Sequence, residues 1–156
     1  MHKKKIVKII SLFLLVLVFS FSASFLAYDL LFQKIGIPKD ENEVYSLILD
    51  EISYEKLTIE TDENRINGIR CYAEDSVKGT VILVNGLAST YDQYLPLAKL
   101  LLENNWDVLL YNGTGIDDEG SVKGLSQSYE DLKEVLSWGK EKGINNIILF
   151  GHSTGG

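Results

Sequence analysis

The chain has 156 residues, of which 46% are hydrophobic and 24% are charged, and its formal net charge is −7 at pH 7. Four of the 15 Lys and Arg residues lie in the first 28 residues, leaving 11 against 22 acidic residues in the rest. The part of the chain after residue 28, which we call the body, is too acidic to be suited to binding the phosphates of nucleic acid. Its apolar content excludes a disordered chain. Cys71 is the only cysteine, and His2 and His152 are the only histidines, which argues against a disulfide framework and a Cys- or His-based metal site.

The first 28 residues form a segment of their own that opens with a short basic head. Residues 9–28 then carry no charge, and about 20 apolar residues are enough for a helix to cross a bilayer. The lysines before this run and Asp29 after it favour a single span with the body outside the cytoplasm. We therefore expect an uncleaved anchor in the cell membrane.

Two other interpretations of this segment stay open. A cleaved signal peptide would give a secreted body, and Ser22-Ala23-Ser24 offers small residues for cleavage, although the apolar run is longer than a usual signal core. A buried core helix is disfavoured, because such a helix would carry polar residues along one face.

Residues 29–53 are expected to be a linker followed by a short amphipathic helix. The linker signal is a Gly-Ile-Pro-Lys stretch at 36–39, and the helix is expected over residues 43–51. Its apolar side is predicted to hold Val44, Leu47 and Ile48.

The main domain is expected over residues 54–156 and begins with a hairpin. Leu57 and Ile59 alternate with polar residues, a polar turn follows at 62–64, and a second strand pattern covers 66–72. These two strands are predicted to pair antiparallel.

From residue 80 onward, three continuous apolar runs alternate with two helical patterns. The runs cover 80–84, 107–111 and 147–150, and each is typical of a strand buried on both faces. Helices are predicted over 90–105, capped by Thr90, and over 128–142, where Ser128 is the cap and Asp131 follows three residues later. The order predicts an α/β fold: a mostly parallel sheet with right-handed crossovers, helices on both faces, and the leading antiparallel hairpin at one edge.

The last apolar run leads directly into Gly151-His152-Ser153-Thr154-Gly155, which has the form G-x-S-x-G. This string alone is a weak signal, but a strand immediately before it is the context that a nucleophile elbow requires. We therefore predict that Ser153 is a nucleophile in a sharp turn that Gly151 and Gly155 permit, with His152 pointing away from it. The alternative is an ordinary glycine-rich turn with Ser153 as N-cap.

Residues 54–156 resemble the N-terminal half of the α/β-hydrolase family, and particularly bacterial hydrolases related to serine aminopeptidases and lysophospholipases. The matching stretches are VILVNGLAST at 81–90, LLYNGTG at 109–115 and IILFGHSTGG at 147–156. The resemblance implies that Ser153 attacks an acyl carbonyl and that the backbone N–H groups of Leu87 and Thr154 form the oxyanion hole. It implies a small-molecule acyl, ester or peptide substrate, and no metal or organic cofactor.

The chain departs from the family pattern in three respects. Asn85 stands where the family often has His, and Leu110 and Asn112 stand where Asp and Arg are common. The triad of the family continues after the serine with an acid and a histidine, and neither follows Ser153 within these 156 residues.

We therefore expect that the complete protein is a serine hydrolase of ester, thioester or amide bonds acting through an acyl-Ser153 intermediate. The 156 residues would be the N-terminal part of the hydrolase domain without its C-terminal half, and inactive alone. Two alternatives stay open, namely a truncated, non-catalytic, membrane-tethered module of the same fold, and an acyltransferase that uses the same serine.

Overall fold

A computed structural model describes residues 2–33, 43–61, 65–86, 89–116 and 125–156, so the predicted linker at 36–39 and turn at 62–64 lie outside the described residues. The chain divides into two compact units, Met1–Ile35 and Gly36–Gly156. The helices are α1 (His2–Gln33), α2 (Glu43–Glu51), α3 (Leu95–Glu103) and α4 (Leu125–Glu141). The strands are β1 (Ser53–Glu60), β2 (Arg65–Tyr72), β3 (Thr80–Val84), β4 (Asp107–Asn112) and β5 (Ile147–Gly151). Two 3₁₀ helices cover Tyr91–Tyr94 and Ser153–Gly155.

The first unit is the single helix α1, which is 32 residues long. Its Lys4–Ala27 window has a mean hydropathy of 2.6, and none of that window is buried. By length and composition the helix could cross a membrane, and a helix at the N-terminus also fits a signal sequence. A core helix would be mostly buried, so the third interpretation of this segment is not supported.

The second unit is built on a five-stranded sheet with the order β1-β2-β4-β3-β5. β1 pairs antiparallel with β2, and β2 pairs antiparallel with β4. β3 pairs in parallel with β4 on one side and with β5 on the other. The predicted hairpin at one edge and the predicted parallel strands are both confirmed.

Helices cover both faces of this sheet, as predicted. The crossovers from β3 to β4 and from β4 to β5 run in opposite directions along the sheet, so right-handed connections place α3 and α4 on opposite faces. Side chains alternate between the faces along each strand. Accordingly, Ile82 shares a core cluster with Val135 of α4, whereas Leu83 shares one with Leu95 of α3.

The two crossover helices begin at other residues than predicted. The 90–105 segment is a 3₁₀ turn followed by α3, because Pro96 lacks the N–H that one continuous α-helix would need there. The side chain of Thr90 forms no capping hydrogen bond among the described residues. The other helix starts at Leu125, so Ser128 lies inside it, and the predicted cap is wrong.

Two burial predictions are also wrong. In β5, Ile148, Leu149 and Phe150 are all exposed, because this strand is last in the order of the described sheet and has a neighbouring strand on one side only.

In α2, Val44 and Leu47 are exposed, and the core-facing side is instead formed by Tyr45, Ile48 and Leu49. These three positions also satisfy helical spacing and bring the larger tyrosine ring to the core.

Cys71 provides a test of the packing of β2. Its side chain is fully buried, and burial together with the nearby charge of Asp107 raises the pKa of the thiol to about 12. Since the thiolate is the reactive species, we expect iodoacetamide at pH 8 to leave Cys71 unmodified in the native protein and to modify it in urea. Mass-spectrometric mapping of the Cys71 peptide would measure this, and rapid stoichiometric modification of the native protein would contradict the buried position.

Candidate active site

The candidate site lies at the carboxyl ends of the three parallel strands. β3 has β4 on one side and β5 on the other, and the two crossovers leave in opposite directions. In open α/β sheets, ligands bind in the crevice at such a point. Asn85 and Gly86 follow β3, Gly113 and Thr114 follow β4, and the Ser153 turn follows β5.

Ser153 occupies a strained backbone position in the turn after β5. Its φ is +55°, in the left-handed region that residues with a side chain rarely adopt. The turn is fixed to the end of β3 because the N–H of His152 donates to the carbonyl of Val84 at 3.1 Å. Inside it, the N–H of Gly155 donates to the carbonyl of His152 at 3.0 Å. The serine is exposed, so the strained turn presents its hydroxyl to the solvent.

The turn packs so tightly that two of its residues have room only for hydrogen at Cα. A Cβ on Gly151 would lie 2.3 Å from the carbonyl oxygen of Gly155. A Cβ on Gly155 would lie 2.4 Å from the oxygen of Val84 and 2.6 Å from that of Asn85. These obstructing atoms are backbone atoms, which cannot rotate away as a side chain does. The sharp return of the chain onto the end of β3 therefore depends on both glycines.

The loop after β3 lies directly against this turn. A Cβ on Gly86 would be 3.1 Å from the Cβ of Ser153, so the backbone of Gly86 approaches the serine closely. Asn85 donates through Nδ2 to the carbonyl of Tyr111 at 2.9 Å, which ties the same loop to β4. Leu87, the residue predicted to contribute an oxyanion-hole N–H, lies outside the described residues.

His152 makes a polar contact that the sequence did not reveal. Its Nδ1 lies 2.9 Å from the hydroxyl of Tyr94, and the two rings meet edge to face with centroids 5.8 Å apart. The same hydroxyl accepts the N–H of Gly86 at 3.1 Å. Ser89 donates through Oγ to the carbonyl of Gly86 at 2.6 Å, and its Oγ lies 3.3 Å from the Tyr94 hydroxyl.

Asp131 is a buried carboxylate under the loop after β4, and this position was not predicted from the sequence. Asp131 is 3% exposed and accepts the N–H and the hydroxyl of Thr114, both at 2.7 Å. It also accepts from Nε2 of Gln127 at 2.9 Å. The prediction tied Asp131 to a helix cap, but its spacing to the buried Val135 and Gly139 shows an acid on the core side of α4. An acid inside an apolar helical stripe is the signal that could have found it.

Asn112 is the other site residue whose role was missed. Its Oδ1 accepts the N–H of Tyr91 at 2.7 Å, so the end of β4 anchors the 3₁₀ turn that leads to Tyr94. Among the described ranges, there is no group of three or more His, Cys, Asp or Glu residues that could hold a metal ion.

The fold is that of the α/β-hydrolases. A model of the family described as serine aminopeptidase, S33, matches residues 75–156, which is more than half of the chain. The chain therefore belongs to this family.

The chain is also similar to individual proteins. An acyl transferase from Photobacterium leiognathi is 31% identical over 124 residues, which cover 72% of this chain and 36% of that protein. An α/β-hydrolase from Vibrio vulnificus superposes with a TM-score of 0.66 at 21% identity, over 82% of this chain and 47% of the other. An esterase from Pyrococcus furiosus has a TM-score of 0.57 at 21% identity, over 73% and 46% of the two chains. The chain thus spans from about a third to a half of the length of these relatives.

The close packing of the turn makes a direct prediction. Gly155→Ala places a Cβ against two backbone carbonyl groups, so we expect it to lower the free energy of unfolding by about 1–3 kcal/mol. The matched control is Gly139→Ala, where the nearest atom would be 3.8 Å away in ordinary contact. That substitution lies inside α4 and should be neutral or stabilise the protein by up to about 1 kcal/mol. Urea unfolding of both variants measures the difference, and equal stabilities would refute the described packing.

Proposed function

We propose that the complete protein is a serine hydrolase that cleaves an ester, thioester or amide bond through an acyl-Ser153 intermediate. The observation that carries this proposal is the left-handed, exposed Ser153 in a turn pressed against the end of β3 by contacts that only glycine allows. Strain of this kind is stored where the surrounding structure holds it, and it is concentrated at functional sites. Membership of the serine aminopeptidase family supports the same chemistry.

In the proposed reaction, the hydroxyl oxygen of Ser153 bonds to the acyl carbonyl carbon, and the leaving group departs with a proton. The backbone N–H groups of Thr154 and Leu87 would hold the negative charge that develops on the carbonyl oxygen. Loss of one such donor typically lowers the rate about 10²–10³-fold. Water then releases the acid and restores the serine.

The proposed nucleophile needs a base to accept its proton. His152 is adjacent in sequence, but its Nδ1 is hydrogen bonded to the Tyr94 hydroxyl. This contact supports a structural role for the His152 side chain and not the role of the base. In α/β-hydrolases the acid and the histidine follow the serine in the chain. We therefore propose that the base comes from outside these 156 residues.

An acyltransferase is the second candidate, and the relative from Photobacterium leiognathi, itself described as an acyl transferase, favours it. Both reactions share the acyl-Ser153 intermediate and differ only in whether water or an alcohol or thiol accepts the acyl group. Product analysis with an acyl ester in the presence of an alcohol would separate the two.

Labelling by a fluorophosphonate probe tests the nucleophile. We expect the complete protein to be labelled at Ser153 and the Ser153→Ala variant to lose both labelling and ester hydrolysis by at least about 10³-fold, because the substitution removes the hydroxyl that would bond to the acyl carbon. The control Ser137→Ala removes an exposed hydroxyl from α4 and should change neither. The 156-residue chain alone should not be labelled.

Two results of this experiment would contradict the proposal. Labelling that persists in Ser153→Ala would place the nucleophile elsewhere. A folded complete protein that is never labelled would favour the non-catalytic module.

We further propose that α1 is an uncleaved anchor that holds the hydrolase unit at the outer side of the cell membrane. The support is the uncharged apolar run at residues 9–28, the lysines before it and Asp29 after it. We expect the protein in the membrane fraction to retain its N-terminus, as read by N-terminal sequencing. A protein found in the medium and beginning after residue 22 would show that the segment is a cleaved signal peptide.

A further inference from the structure

The hydroxyl of Tyr94 lies between the two loops that form the proposed site. It accepts the N–H of Gly86, from the loop after β3, at 3.1 Å, and it lies 2.9 Å from Nδ1 of His152, in the turn after β5. Tyr94 comes immediately before α3, whose first residue, Leu95, is fully buried. A group held by a third, well-packed element therefore touches both loops at one point.

The contact distances favour one arrangement of the protons in this network. Ser89 gives its proton to the carbonyl of Gly86 at 2.6 Å, and Gly86 gives its N–H to the Tyr94 oxygen. The single proton of the Tyr94 hydroxyl is then free for Nδ1 of His152, which is closer than Oγ of Ser89 at 3.3 Å. In this arrangement Nδ1 of His152 is the acceptor and the ring carries a proton on Nε2.

We infer that Tyr94 is a positioning residue, whose hydroxyl fixes the Ser153 turn against the loop after β3. This inference rests on the proposed function. Gly86 lies against Ser153 in space, and His152 precedes Ser153 in the chain. The Tyr94 hydroxyl therefore contacts two residues that directly adjoin the serine. Without it, the buried Gly86 N–H and the His152 nitrogen both lose their partner, while the backbone bond from His152 to Val84 still holds the fold together.

Tyr94→Phe in the complete protein is the main test, because it removes only the hydroxyl and keeps the ring. Small displacements of reacting groups cost up to about 10²-fold in rate, so we expect kcat and the fluorophosphonate labelling rate to fall about 10- to 100-fold. KM should change less than about twofold, since the hydroxyl is engaged within the protein. The matched control is Tyr129→Phe, which removes a hydroxyl from an exposed side chain on α4 and should leave both rates unchanged.

A double-mutant cycle tests whether Tyr94 acts through His152. His152→Leu should lower kcat to a similar extent, and Tyr94→Phe combined with His152→Leu should be no slower than the slower single variant, because both remove one interaction. His152→Gln keeps an acceptor and should recover part of the rate. Independent, multiplicative losses would overturn the inference.

Two measurements test this hydrogen-bond network without relying on enzymatic activity. Nitrogen NMR of the His152 ring, assigned by comparison with His152→Gln, should show the proton on Nε2, and amide exchange at Gly86 should be at least about tenfold faster in Tyr94→Phe. A proton on Nδ1 at neutral pH, or unchanged Gly86 exchange, would overturn the inference even if the protein has no hydrolase activity. Normal labelling of Tyr94→Phe together with loss of labelling in Ser153→Ala would overturn it while leaving the proposed function intact.

Discussion

Strand β3 is the constraint on which the rest of the hydrolase unit depends. All five of its residues are buried, and it is hydrogen bonded along both edges, to β4 and to β5. A buried strand must have partners for its backbone N–H and C=O groups, because none of them reaches water. The two neighbours must follow through right-handed crossovers on opposite faces, which brings the carboxyl ends of all three strands to one edge. This arrangement makes the Ser153 turn and the Gly86 loop neighbours.

The proposed site is therefore built more from backbone than from side chains. Gly155 lies against the carbonyl groups that end β3, Gly86 lies against Ser153, and the serine adopts a left-handed backbone. Such a conformation costs of order 1–3 kcal/mol and persists only where its surroundings determine it. Here the sheet, the hydrogen bond from His152 to Val84 and the Tyr94 hydroxyl hold the serine in this conformation. Asp131 does the same for the loop after β4 by accepting from both polar groups of Thr114.

The features that were predictable from the sequence are those encoded locally. Continuous apolar runs identified β3 and β4, alternation identified β1, and the glycines around Ser153 marked the turn after β5. The partners of Tyr94 and Asp131 were not predictable, because they lie on other elements that only the folded sheet brings near. Tyr94 reads as one more residue of a helical pattern, and Asp131 reads as an acid of a helix cap. The apolar run of β5 predicted burial on both faces, whereas Ile148, Leu149 and Phe150 are exposed.

The sheet topology also has a consequence for the order in which the molecule assembles. The pairing of β1 with β2 closes only a short turn, whereas that of β3 with β5 joins parts of the chain separated by two helices and β4. Contacts of long sequence separation form at a greater loop-closure entropy cost, and they slow folding. Since Gly155 reaches the end of β3 only after β5 has paired, the left-handed serine is a late product of folding. A partly folded chain on the ribosome would form its hairpin before it formed the turn that holds Ser153.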